Sequence, residues 1–277
     1  MTMRTYRFLT FIVLAIVLSG CATVPYERGR NIESDATPPL LADEPQVERG
    51  RPVVVLDGLG HYLFSLPSKF ILWNWQVDNH DISQETEEKL KQYLHDNDLN
   101  KVKVRLNQYS PGSEWSRLFG NESVGAGWRY TVGVLSVAMY TIFPGRLLGG
   151  DNYNPFTNTI HLYSDHKSIA VHEAGHAKDF AKTEYKGTQA VFGILPLVPL
   201  FQEADATGDA IGYNQSLNLT EDIKDDYKIL YPAYGTYVVG EGLRWINLPL
   251  GLDTAIRLVS AVPGHIVGRI KAAQVEP

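Results

Sequence analysis

The chain of 277 residues has little cysteine, no excess of positive charge and no long hydrophobic run. Its single cysteine excludes a disulfide framework and a cysteine-based zinc site, so any bound metal would need histidine and carboxylate ligands. A net charge of −6 lacks the basic footprint of a nucleic-acid-binding protein, and we expect no nucleic-acid partner. The composition, with 44% hydrophobic and 20% charged residues, excludes whole-chain disorder, collagen-like repeats and coiled coil.

The N-terminal residues carry a targeting pattern. Two arginines precede an uncharged stretch, residues 8–18, which is too short to span a bilayer but suits the apolar region of a signal peptide. The stretch ends at Leu18-Ser19-Gly20-Cys21, which resembles a bacterial lipobox. The resemblance implies cleavage before Cys21 and lipidation of Cys21; the alternative is an ordinary signal peptide with an incidental cysteine. We therefore expect a lipid anchor in the bacterial cell envelope, and Ala22 favours the periplasmic face of an outer membrane.

Composition changes divide the rest of the chain. Residues 21–50 hold four prolines, scattered charges and little periodicity, so we expect a disordered tether there and a single folded domain at residues 51–277. Within the domain, Val53–Leu56 is a strand candidate, and Ser83 is a candidate N-cap for a helix to about residue 96. Residues 102–107 alternate in the pattern of a half-buried strand.

Two apolar runs are shorter than a membrane span. Residues 131–143 are expected to form a buried helix. Residues 191–201, interrupted by Pro196 and Pro199, are expected to lie in the core, and a wall of a substrate groove or a surface that enters lipid are the alternatives.

Residues 172–176 read His-Glu-Ala-Gly-His and match the H-E-x-x-H pattern. Residues 168–183 contain no proline and carry apolar residues at helical spacing, which predicts a helix. His172 and His176 would then lie on one helix face, where both imidazoles can reach one metal ion. Glu173 points in another direction and can instead take the proton of a water at the metal.

A catalytic zinc site usually has three protein ligands, so a third must come from elsewhere. A second helix is expected over residues 200–214, where Glu203 is followed by alanines three and seven positions later, small enough for close packing against the histidine helix. We predict Glu203 as the third ligand, with Asp209 and Asp205 as alternatives. Asp179 and Asp209 are candidates to accept hydrogen bonds from the ligand histidines.

The motif at residues 172–176, followed by Glu203-x-x-Ala206, resembles the gluzincin group of zinc metallopeptidases, which includes thermolysin-like and HtpX-like peptidases. The resemblance covers roughly residues 150–215. It implies bound Zn²⁺, hydrolysis of peptide bonds with Glu173 as general base, and an edge strand near residues 158–163 that pairs with extended substrate. The tyrosine-rich residues 231–237 are a candidate source of a donor to the oxyanion.

Together these patterns predict an α+β, zincin-like fold. It would have a small sheet with an edge strand packed on the histidine helix, a second ligand-bearing helix and a mostly helical C-terminal part. The predicted function is that of a membrane-anchored zinc metallopeptidase with peptide or protein substrates. Two alternatives stay open: a non-catalytic envelope lipoprotein that uses this fold for binding or assembly, and a hydrolase of peptidoglycan peptides.

Overall fold

The computed structural model describes residues 26–29, 37, 40, 44–243 and 250–276. The predicted signal peptide and the predicted lipidation site, Cys21, lie outside the described residues. Within the described ranges, long helices and one small mixed sheet form an α+β structure, as the sequence predicts.

The elements follow one another along the described chain as helices with four short strands between them. The strands are β1 (Val47–Arg49), β2 (Lys103–Leu106), β3 (Asn152–Asn154) and β4 (Thr159–Leu162). The helices are α1 (Val54–Leu59), α2 (Leu66–Leu72), α3 (Gln84–Asp96), α4 (Pro111–Gly120), α5 (Ala126–Trp128), α6 (Val134–Ile142), α7 (Gly145–Leu148), α8 (Lys167–Lys182), α9 (Lys186–Phe192), α10 (Val198–Ser216), α11 (Thr220–Leu243) and α12 (Leu250–Ala273). Two π-helical turns, Gly60–Phe64 and Arg129–Gly133, precede α2 and α6.

The four strands form one sheet in the order β1-β2-β4-β3. β1, β2 and β4 are parallel, and β3 is antiparallel to β4, with Tyr153 opposite Ile160. The edge strand next to β4 is therefore Asn152–Asn154. The prediction of an edge strand near residues 158–163 is wrong, because β4 has a hydrogen-bonded partner on each side.

The polar residues of β2 and β4 are buried, although their alternation predicts a solvent-exposed face. Arg105 of β2 is 0% exposed; its Nε donates to Glu114 of α4 at 2.7 Å, and its Nη2 lies 3.0 Å from a carboxylate oxygen of Glu44. His161 of β4 packs against the Tyr140 ring, with Nε2 3.5 Å from the second Glu114 oxygen. Ion pairs with Glu114 and Glu44 therefore compensate the buried charge of Arg105 in place of water, which alternation alone does not reveal.

We expect Glu114→Ala to lower the free energy of unfolding by about 3–5 kcal/mol, because it leaves the buried Arg105 guanidinium without its closest carboxylate. Burial alone would raise the pKa of Glu114, but His161 and Arg105 outweigh it and lower that pKa to about 2. The stabilisation that the Glu114 carboxylate gives the folded state is thus fully present above its unfolded pKa of about 4.3. It is lost as the pH falls through the folded-state pKa of about 2.

Urea denaturation monitored by circular dichroism measures this effect. The matched control is Glu122→Ala, because Glu122 is exposed in the turn after α4. Equal midpoints for the two variants would contradict the structural role of Glu114.

The folded part begins before the predicted boundary at residue 51. Val47–Arg49 forms β1 and pairs in parallel with β2. Further upstream, the Tyr26 hydroxyl and the Gly29 N–H both donate to the Asn97 side-chain oxygen, at 2.9 and 3.1 Å. Part of the segment predicted as a tether is therefore packed on the domain.

Two further expectations from the sequence are wrong. Val53–Leu56 contributes to helix α1 and not to a strand, and the Val53 N–H at its start donates to the Asp57 carboxylate at 2.7 Å. The apolar run 131–143 is not a buried helix, because Val137 is the only residue of α6 that is buried. Among the described residues, no helix is both long and apolar enough to cross a membrane.

The C-terminal part is mostly helical, as predicted. α11 and α12 pack closely, because α12 has glycines where the backbones meet: a Cβ on Gly268 would lie 2.2 Å from the Tyr227 carbonyl oxygen. On the other side, α8 packs against the sheet through Ala170 and Ala174, in one core with Val104 and Ile160. The histidine helix is thus held between the sheet and the C-terminal helices.

Candidate metal centre

Helix α8 places both motif histidines on one face. It spans Lys167–Lys182, which agrees with the helix predicted over residues 168–183. The rings of His172 and His176 lie nearly perpendicular, with centroids 4.7 Å apart, and their Nε2 atoms are 3.2 Å apart. This is the arrangement that the spacing of four residues predicts.

Helix α10 brings the third predicted ligand to the same point. It packs against α8 where Gly175 faces Ala206: a Cβ on Gly175 would lie 3.2 Å from the Ala206 Cα and carbonyl oxygen. The absence of a side chain at Gly175 therefore permits a close approach of the two helices. Glu203 then reaches both histidines, at 3.1 Å from His172 Nε2 and 3.5 Å from His176 Nε2.

The spacing of these three groups fits a zinc ion. His172, His176 and Glu203 each offer one ligand atom, and these atoms all lie within 4.8 Å of one another. Two ligands at about 2.1 Å from a tetrahedral ion lie roughly 3.4 Å from each other. The separations of 3.1, 3.2 and 3.5 Å are close to that value, and two imidazoles with one carboxylate are a usual ligand set for zinc.

The electrostatics of the centre favour a positive charge. Burial alone would raise the pKa of Glu203, but His176 and His172 outweigh it and hold that pKa well below its usual range. Burial alone would lower the pKa of His176, but the Glu203 carboxylate raises it to about 9. A buried carboxylate between two imidazoles thus attracts a cation, which is either a proton or a metal ion.

Glu173 lies beside the three ligand residues without sharing their direction. It is 8% exposed, and burial raises the pKa of its carboxyl group although His176 and His172 oppose that shift. The backbone N–H of Tyr153, in the edge strand β3, also bonds to this carboxyl group. Glu173 is therefore held between the three candidate ligands and the strand that borders the cleft.

Thr207 supports His172, and the sequence analysis missed it. Its Oγ1 lies 3.4 Å from His172 Nδ1. With Nε2 as the ligand atom, Nδ1 carries the hydrogen and donates it to Thr207, which fixes the ring orientation. The available signal was the spacing of four residues between Glu203 and Thr207, which places them on one face of α10.

The predicted supporting aspartates lie in different surroundings. Asp179 is near enough to His176 to contribute to the raised pKa of that histidine, and the Asp179 carboxylate accepts a hydrogen bond from Gln189. Asp179 therefore stays a candidate to support His176. The structure does not bring Asp209 to the ligands: its carboxylate pairs with Lys178 at 2.6 Å and accepts from the Tyr93 hydroxyl. Asp205, the other alternative ligand, lines the same separate cleft as Asp209.

Two clefts meet at the candidate metal centre. One is bordered by β3 and α9 and the other by α2 and α11, and four residues line both: Asp151, Glu173, Glu203 and Tyr237. Asp151 accepts from the Tyr163 and Ser164 N–H groups at 2.6 and 3.0 Å, which joins the start of β3 to the end of β4.

Tyr237 is the member of the tyrosine-rich segment that faces this junction. The Glu203 carboxylate, with a smaller effect from Glu173, raises the pKa of its hydroxyl above the usual value, although 42% of the residue is exposed at the mouth of the clefts. The hydroxyl therefore stays protonated and able to donate a hydrogen bond. Tyr231 is instead buried against α12, and Tyr234 is largely buried and lines only the second cleft.

Comparison of the chain with protein-family models, with curated proteins and with solved structures gave no match. Function must therefore be inferred from the residues of the site and their geometry.

Proposed function

We propose that the chain is a zinc-dependent metallopeptidase of the gluzincin type, in which His172, His176 and Glu203 hold the metal and Glu173 is the general base. The observation that carries this proposal is the convergence of the three ligand atoms at separations suited to one zinc ion. A structural zinc site usually has four protein ligands, whereas a catalytic site has three and an open position. The buried carboxyl group of Glu173 beside three ligands favours the catalytic alternative over a silent binding module.

A zinc ion bound here would polarise the scissile carbonyl and make water a stronger acid. Glu173 takes the proton of the attacking water and later delivers it to the leaving amine. Burial raises the pKa of Glu173 and so makes it a stronger base than a solvated glutamate. The protonated Tyr237 hydroxyl donates a hydrogen bond to the carbonyl oxygen as negative charge develops there.

The edge strand supports a peptide or protein as substrate. β3 pairs with β4 on one side, and its residues border the cleft that contains Glu173 and His176. An extended peptide laid along β3 would add one more strand to the sheet and present a peptide bond to Glu173. The same binding mode suits peptidoglycan peptides less well, because their short branched chains offer little regular backbone to pair.

The proposed location follows from the N-terminal pattern. With Cys21 lipidated, the chain would be anchored in the bacterial cell envelope, facing the periplasm from the outer membrane. Its partners would be the membrane, through that lipid, and a peptide or protein substrate.

Measurement of zinc per purified chain tests the metal centre. We expect about one zinc per parent chain, because three protein ligands are the usual set of a catalytic zinc site. We expect a large loss in Glu203→Ala, because two imidazoles alone form an incomplete site. The matched control is Asp205→Ala, which removes a carboxylate two residues later on the same helix, and it should retain the metal.

Two results would contradict the proposed ligand set. Zinc retained in Glu203→Ala would mean that the third ligand lies elsewhere. A parent chain that takes up no zinc even after reconstitution would contradict the metallopeptidase and favour the non-catalytic envelope lipoprotein.

A further inference from the structure

Charged and exposed apolar residues are distributed very unevenly along the chain. Four charge-poor segments, residues 52–75, 124–150, 185–202 and 229–270, hold only 10 of the 56 charged residues. Of the 31 large hydrophobic residues that are exposed in the described part, 29 lie in these same segments. Exposed apolar side chains are thus concentrated where charge is scarce, unlike the scattered single residues of an ordinary surface.

The four segments surround the metal centre. Each contributes residues to the clefts that meet there: Leu72 in α2, Val132 before α6, Ile194 after α9 and Tyr237 in α11. Neighbouring residues on the same elements are exposed outward, namely Phe70 (61%), Leu135 (62%), Phe192 (53%) and Val259 of the adjacent α12 (68%). We call these exposed side chains of the four segments the apolar rim.

Most helices of the apolar rim are too short to enter a bilayer as spans. α2 and α9 have seven residues each and α6 has nine, whereas a span needs about 20. Short helices with one apolar face lie along the membrane interface instead. These short helices therefore suit contact along a bilayer surface and not insertion across the bilayer.

The start of the described chain provides a reason for proximity to a membrane. Tyr26 packs on α10 at Gly212, where a Cβ would lie 2.7 Å from the Tyr26 Cβ. Cys21, the predicted lipidation site, is five residues earlier and can reach about 17 Å from Tyr26 when extended. Along α10, Gly212 and the exposed Phe201 are separated by about 16 Å, so a lipid at Cys21 and the rim can reach the same bilayer.

Charge indicates which lipid surface suits the rim. The four segments carry seven basic and three acidic residues, while the remainder of the chain has a net charge of −10. Lys69, Arg146 and Lys186 are buried, so the described bases that reach the surface are Arg129, Arg257 and Arg269, beside the acid Glu241. Asp57 and Arg146 form an ion pair, so these two charges cancel each other. An anionic surface would therefore repel the remainder of the domain and accept the rim.

We propose that the apolar rim docks on the surface of an anionic phospholipid bilayer, so that the mouth of the metal centre faces the headgroups. Substrate would then enter the clefts from the plane of the membrane surface. The docking depends on neither zinc binding nor hydrolysis, and its test measures neither.

Single cysteines carrying a nitroxide label test the docking in the full chain, isolated from membranes and reconstituted in vesicles of phosphatidylcholine and phosphatidylglycerol. Leu135→Cys and Val259→Cys probe the rim, and Gln92→Cys on the exposed face of α3 is the matched control. All three residues are exposed, so the labels leave the core unchanged. We expect the rim labels to be accessible to dissolved oxygen and protected from a water-soluble nickel chelate, and the control label to show the reverse.

Rim labels as accessible to the nickel chelate as the control would overturn the proposal. So would rim labels that neither reagent reaches, because another part of this chain or a second copy would then cover the rim. If vesicles of phosphatidylcholine alone protected the rim labels from the nickel chelate as well as the mixed vesicles do, the preference for anionic lipid would be overturned.

Discussion

Glu173→Gln should abolish most hydrolysis and leave zinc bound. The substitution keeps the size and the burial of the side chain but removes its ability to accept a proton. Loss of a general base typically costs about 10²- to 10⁴-fold in rate, and we expect a fall within that range in kcat. Glu173 contributes no atom to the group of three ligands, so the metal content should stay unchanged.

Peptide release from an unstructured protein substrate, measured beside zinc content on the same sample, tests this expectation. Glu184→Gln is the control, because Glu184 is exposed just after α8. This substitution removes the same charge near the same helix. A Glu173→Gln variant with the parent rate would exclude Glu173 as the base. A variant that loses zinc together with activity would instead indicate that Glu173 supports the ligands.

The local parts of the centre are the parts that the sequence predicts well. His172 and His176 are related by helical spacing alone, and α8 and α10 form over nearly the predicted residues. Glu203 was predicted from the small residues on its face, and the contact of Gly175 with Ala206 is the close approach that those residues permit. Periodicity and side-chain size thus carry enough information for a two-helix site.

The sheet is predicted less well, because strand order depends on contacts between distant parts of the chain. β4 is an inner strand because it pairs with β2, whose residues lie 56 positions earlier, as well as with the neighbouring β3. β3 has only three residues, too few to show alternation, so the sequence pattern places the edge at β4. Likewise, Arg105 alternates with apolar neighbours as an exposed residue would. Its burial depends on Glu44 and Glu114, and of these Glu44 lies 61 positions away.

Surface exposure was also predicted poorly for apolar segments. The run 191–201 was expected in the core, yet Ile194 and Phe201 are 52% and 71% exposed. Hydrophobicity predicts that a side chain prefers an apolar environment. It does not predict whether the protein core, a cleft or an external apolar surface provides that environment. Part of this run lines a cleft and part of it faces outward, so the expectation of a core position is wrong for these residues.

The choice of one tyrosine among several also required the structure. Three tyrosines lie within residues 231–237 at intervals of three, so each is turned by about 60° around α11 from the one before, and Tyr231 and Tyr237 point in different directions. Tyr231 faces α12 and packs edge-on against Tyr227, whereas Tyr237 lines both clefts. The Glu203 and Glu173 carboxylates both raise the pKa of the Tyr237 hydroxyl, which indicates that this hydroxyl lies near both.

Tyr237→Phe should lower kcat by about 10²- to 10³-fold, the usual cost of removing one hydrogen-bond donor to an oxyanion. The Glu203 carboxylate keeps the pKa of the Tyr237 hydroxyl well above its usual value, so the lost group is a donor at every working pH. Because the hydrogen bond strengthens only as charge develops, KM should change little and zinc should stay bound.

Separate measurement of kcat and KM distinguishes this role from a structural one. Loss of a tyrosine that only packs would lower the stability of the fold. It would change the affinity for substrate and the affinity for a phosphonate transition-state analogue by the same factor. For an oxyanion donor, the analogue should bind more weakly in Tyr237→Phe while substrate binds as before. Tyr231→Phe, which removes a hydroxyl six residues earlier on the same helix, should leave both affinities unchanged, and a parallel loss in both variants would assign the effect to the packing of α11.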